Sequence, residues 1–139
     1  MPAKDFYHDN IKNAFLKEGW TITHDPLRLS WGDRDMYVDL GATEDFLAAD
    51  KSKQKIAVEV KSFIGNSTMS DLEKAMGQYV VYRAVLEERE PKRTLYLAVP
   101  QWVVWNLFNQ PLGQLLLKKN LVKVIGVDVQ TEEIVEWLP

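Results

Sequence analysis

The sequence has no cysteine, which removes disulfides, thiolate metal centres and thiol nucleophiles. Its two histidines, His8 and His24, do not make up a zinc set. No apolar run approaches the ~18 residues of a membrane span, and Met1–Asn10 carries no basic-then-apolar leader, so the cytoplasm is the expected compartment. Positive charge is also short. Seventeen Lys and Arg face 20 Asp and Glu, for a net charge of −3 and a pI of about 5.4. No global field draws such a chain onto nucleic acid, and any contact of that kind must come from a local patch or a partner. Also missing are a glycine loop for phosphates, a serine–histidine–aspartate arrangement and H-E-x-x-H. Without repeats, low-complexity tracts or Ser/Gly linkers, residues 1–139 read as one domain.

What is present is enough for one core: 139 residues, 46% hydrophobic and 27% charged. Apolar residues at helical spacing predict a helix over Lys4–Glu18, stopped at Gly19. Trp20–Trp31 reads as a strand bent at Asp25-Pro26. Met36–Ala42, Phe46–Ala49 and Lys55–Val60 follow as a meander. Ser70–Glu88 is the longest periodic segment, with Ser70 as N-cap and Glu73 completing a capping box. Thr94–Val99, Val122–Val127 and Ile134–Leu138 read as strands, and Gln101–Lys119 as a helix interrupted at Pro111.

The stretch Ile56-Ala-Val-Glu-Val-Lys61 carries the chemistry. Alternation sends Ile56, Val58 and Val60 inward and leaves Ala57, Glu59 and Lys61 on the other face. One reading is an ion pair on a half-exposed strand. The other is a metal-dependent phosphodiesterase site, with Glu59 on Mg²⁺ or Mn²⁺ and Lys61 positioning the attacking water and offsetting phosphate charge. That site needs a second carboxylate. A hairpin pairing Asp50 with Lys55 and Leu47 with Val58 puts Glu44 opposite Lys61; a one-residue slip substitutes Asp45, and a bulge at Gly41 brings in Asp39. Each of the three is equally an ordinary surface acid.

The E-x-K strand "VEVKSF", followed by a helix bearing Gln78-x-x-x-Tyr82, resembles the PD-(D/E)XK nuclease superfamily, and its Q-x-x-x-Y element is similar to that of RecB-like and resolvase-like members. More closely, "DFYHDNIKNAFLKEGWTITHDPL", "YVDLGA", "QKIAVEVKSF", "LYLAVP", "GQLLL" and "EIVEWLP", in order, resemble the fdxN-element excision controlling factor (XisH-type) family of cyanobacteria. The resemblance implies an α/β (α+β) restriction-endonuclease-like core, a mixed β-sheet flanked by helices. It implies a role in programmed DNA excision beside a site-specific recombinase and a small companion factor, as a nuclease or as a non-catalytic accessory factor. It also places Gln78 in the active site. No Pro-Asp precedes the strand, and "GATED" offers two adjacent acids where the superfamily expects one.

His8 and Lys12, one turn apart on the first helix, are candidate phosphate or water contacts at the same cleft, and Tyr82 shares a helix face with Gln78. Alternatively, His8 is a polar-face histidine with no task. The five tryptophans are scattered among apolar neighbours and read as core or interface. Val103–Leu117 has more apolar residues than one core-facing stripe needs, which predicts a homodimer or a complex with the companion factor through this region.

Overall fold

The structure is a computed structural model and describes residues 4–45 and 53–139. In chain order its elements are α1 (His8–Lys17), β1 (Thr21–His24), β2 (Leu27–Trp31), β3 (Arg34–Val38), β4 (Leu40–Asp45), β5 (Lys53–Val60), α2 (Thr68–Arg89) and β6 (Arg93–Pro100). The short α3 (Gln101–Val103) runs into a π-helical turn at Val104–Phe108, and α4 (Pro111–Lys118), β7 (Val124–Asp128) and β8 (Glu133–Leu138) complete the chain. The strand piece expected at Phe46–Ala49 lies outside the described residues.

Six strands form a mixed sheet in the order β1-β4-β5-β6-β7-β8, and β2–β3 is a separate hairpin. The pairs β5–β6 and β6–β7 are parallel, and α2 supplies the long crossover that a parallel β5–β6 pair requires. Parallel strands are covered on both faces, and β5 is. Ile56, Val58 and Val60 pack with Leu40, Ala98 and Ile125 beneath Ile11, Ala14 and Phe15 of α1. On the opposite face Ala57, Leu95, Leu97 and Val99 meet Leu72, Ala75 and Tyr79 of α2 and Leu27, Leu29 and Val38 of the hairpin. The alternation along β5 is as expected, but the face carrying Glu59 is roofed rather than half-exposed: Glu59 is 6% exposed.

Two predicted strands divide at the residues that matter later. Trp20–Trp31 splits at Asp25-Pro26, a cis peptide, into β1 of the main sheet and β2 of the hairpin. Met36–Ala42 splits at Asp39, with β3 pairing in the hairpin and β4 in the main sheet. The long helix starts earlier than the capping-box reading has it: Ser67 is the N-cap and accepts the Ser70 N–H at 3.1 Å. α1 ends at Gly19, whose φ of +98° suits glycine.

In the surplus apolar segment, Val104, Leu107 and Phe108 are buried, while Trp102, Trp105, Leu112 and Leu115 are exposed. α1 is clasped to the β7–β8 hairpin. Asn10 Nδ2 donates to the Val129 carbonyl at 3.2 Å, Lys17 Nζ to that of Thr131 at 2.5 Å, and Trp137 stacks edge-on to Phe15 and Tyr96. Among the described residues no helix is long and apolar enough to cross a membrane.

Candidate active site

Asp39 sits where the chain leaves the hairpin and enters the main sheet. Because Leu40 pairs with Val58, Asp39 falls beside Glu59 at the C-terminal end of β5. Side chains there take the place of ladder hydrogen bonds: the Val60 N–H donates to Asp39 Oδ2 at 2.7 Å, and the Asp39 N–H donates to Glu59 Oε1 at 3.4 Å. Burial, then the neighbouring Asp39, pushes the Glu59 carboxyl up to about 9. The Asp39 carboxyl is also raised, first by burial, against the lowering effect of the Val60 N–H. Two acids held this close out of water cannot both ionise cheaply.

They open into a cleft of about 470 Å³ lined also by Asp5, Lys61, Gln78 and Tyr82. Lys61 Nζ lies 4.0 Å from Asp71 Oδ1, a loose ion pair. Asp71 also accepts the Gly65 N–H at 3.0 Å, so one carboxylate pins the loop after β5 and sets a negative charge near the lysine. A Cβ on Gly65 would lie 2.8 Å from Asp71 Oδ1, so a larger residue there must push the carboxylate aside. Between them, buried Phe63 adopts φ +56°, a conformation that costs an aromatic residue on the order of 1–3 kcal/mol. Asp5 accepts the Ser62 N–H at 2.9 Å, bringing a third acid to the cleft wall. Tyr82, pushed up to about 12 by burial and then by Glu59 and Asp39, stays a neutral phenol at any working pH.

The structure thus brings together Glu59, Lys61, Asp39, Gln78 and Tyr82. It does not bring Glu44. The actual register sets Glu44 opposite Gln54, seven positions from the expected Lys61 and roughly 16 Å along the strand from Glu59. Glu44 instead lies near enough to Glu18 to raise that carboxyl, after burial. Asp45 is one residue farther still, opposite Lys53. His8 and Lys12 are also not cleft contacts. His8 is 3% exposed, with Nε2 2.8 Å from Asp25 Oδ1, and Lys12 Nζ binds Asp25 Oδ2 at 2.8 Å. His8 lies behind the site, its Nδ1 3.9 Å from Asp39 Oδ1. The expected metal set therefore shrinks to Asp39 and Glu59, and among the described residues no three His, Cys, Asp or Glu side chains gather around one point. Sequence reasoning missed Asp5, Asp25 and Asp71. Only Asp71 left a signal, as an acid in the first turn of a long helix.

Fold and cleft define an α+β protein on a six-stranded mixed sheet, with the acid pair Asp39 and Glu59 and the lysine Lys61 gathered at one end of β5. The XisH protein family model matches residues 1–135, and the chain belongs to that family. It is similar to an XisH family protein from Nostoc punctiforme PCC 73102, with 37% identity, 97% of this chain and 100% of that chain covered, and a TM-score of 0.86. It is likewise similar to an fdxN element excision controlling factor protein from Anabaena variabilis, with 37% identity, coverage of 96% and 98%, and a TM-score of 0.83. A search among curated proteins found no match.

Proposed function

We propose that this chain is a metal-dependent DNA endonuclease of the PD-(D/E)XK type that assists excision of a DNA element, acting beside a site-specific recombinase and a companion factor. The role in excision follows the name of the Anabaena variabilis neighbour. The observation that carries the chemistry is the convergence of half-buried Asp39, at the bend between β3 and β4, and buried Glu59 of β5 onto an open cleft shared with Lys61.

The donors fit a hard divalent cation. Carboxylate oxygens suit Mg²⁺ or Mn²⁺ rather than Zn²⁺, and a cation offsets the cost of charging two acids that burial raises. Asp39 and Glu59 would hold it, and when bound it would supply Lewis-acid charge at a phosphate. The rest is the work of the chain. Lys61 presents an ammonium at the cleft, positioned by Asp71 to meet charge that grows in the transition state. Gln78 and Tyr82 form the α2 wall as neutral hydrogen-bonding groups. Without a cation Glu59 keeps its proton and Asp5 and Asp39 stand against a phosphodiester, so DNA binding in the cleft is coupled to metal binding.

The test is nicking of supercoiled plasmid in Mg²⁺ or Mn²⁺, with a thermal melt for each variant. Lys61→Met should fold normally and lose on the order of 10²-fold or more in rate. Wild-type nicking by a folded Lys61→Met protein would overturn the catalytic role. A wild type that nicks nothing, alone or with its partners, would leave the non-catalytic accessory role.

A further inference from the structure

A second and larger hollow, about 870 Å³, lies at the C-terminal ends of β6 and β7, with Tyr7 in its wall. Its volume is in the range of ligand-sized pockets. Trp102 and Trp105 stand in its wall 38% and 59% exposed, with Val135 51% exposed on the edge strand β8. The π-helical turn that begins at Val104 carries Trp105 outward, and such turns recur at functional sites.

The polar groups here are one-sided. No lysine or arginine lines the groove, and Asp128 is its only charged side chain among the described residues. Asp128 Oδ1 accepts the N–H groups of Gln130 and Thr131, which fix the carboxylate and hold its carboxyl below the usual range. In the floor, Gln101 donates from Nε2 to Glu136 at 2.5 Å, and its Oε1 is buried against Gly126, away from the groove. Exposed indoles and a fixed carboxylate together favour a cationic donor. A phosphate backbone finds no cation here and one repelling charge, so the tryptophans are not a base-stacking platform.

We propose that this groove receives an arginine-bearing apolar segment of a partner protein, its guanidinium laid on Trp102 and Trp105 and paired with Asp128. Arginine suits the site better than lysine because its planar group stacks on indole while bonding to a carboxylate. The chain shows the same stacking elsewhere, with the Arg89 guanidinium 5.0 Å from the Trp31 ring centre. A second copy is the weaker occupant. Arg28 pairs with Asp35, Arg83 with the carbonyls of Asn120 and Leu121, Arg89 with Trp31 and Arg93 with Glu90, and exposed Arg34 stands between Asp33 and Asp35, which Asp128 would repel. A partner seated here would lie beside the acid cleft, yet the inference does not depend on cleavage.

The test is NMR of the ¹⁵N-labelled indoles of the whole chain, titrated with a capped nonapeptide of alternating leucine and arginine. The same peptide with citrulline, an uncharged isostere, is the control. The Trp102 and Trp105 signals should shift saturably with the arginine peptide and about tenfold more weakly with citrulline. Asp128→Asn keeps an oxygen for the Gln130 and Thr131 N–H groups; it and Trp105→Ala should each weaken binding about tenfold while melting like the wild type. Equal binding of the citrulline peptide, or no shift with either, overturns the proposal. So do shifts with oligothymidylate in place of the peptide, which would make the groove a nucleic-acid surface, and shifts on dilution with no probe, which would assign it to a second copy.

Discussion

Glu59 and Asp39 couple the site to pH. Folded Glu59 keeps its proton up to about 9, while its ordinary value is 4.5, so between those limits the folded chain holds more protons than the unfolded one. Stability from this group is complete below 4.5 and falls as pH rises toward 9. Melts without divalent ions should therefore drop from pH 5 to pH 9. Glu59→Gln should remove most of that slope and gain about 1 kcal/mol at pH 8. Mn²⁺ should raise the melting temperature of the wild type and not of the variant; equal slopes in the two proteins would assign the pH dependence to other groups. Glu59, Lys61, Gln78 and Tyr82 were legible in the sequence because two-residue alternation and helical spacing are local. Asp39 enters the sequence reading only through a bulge at Gly41, since strand register depends on which apolar residues meet across the sheet, and that depends on the whole fold.

Among the elements, α2 was readable almost end to end, because its periodic face and its serine-rich start are both written in sequence. The Gln101–Lys119 segment was not. Its break at Pro111 was expected, but the π-helical turn before it follows from packing, with α4 folded back so closely that a Cβ on Gly113 would lie 2.3 Å from Leu107 O and Phe108 Cα. Backbone atoms cannot yield as a flexible side chain does. Gly113→Ala should cost about 1–3 kcal/mol, seen as a lower denaturant midpoint at unchanged slope. A neutral result would show that α4 shifts freely against the turn. Since Trp105 lies in that turn, the same variant should weaken the groove before the acid cleft.

At the scale of the whole molecule, α1 and β8 close one face of the sheet, and Trp137 is the centre of that closure, 5.0 Å from the Tyr96 ring and 6.2 Å from that of Phe15. Trp137→Ala should cost about 3 kcal/mol at equilibrium. The contacts that join these elements span 119 residues in the case of Asn10 and Val129, whereas β2–β3 and β7–β8 pair across short turns. Closing so long a loop costs entropy before any contact repays it, which orders the folding reaction in time. Local hairpins and the α2 crossover come first, and α1 docks on β8 after the transition state. Stopped-flow fluorescence of Trp137→Ala should then show unfolding accelerated and refolding nearly unchanged; slowed refolding would place the docking of α1 in the folding nucleus instead.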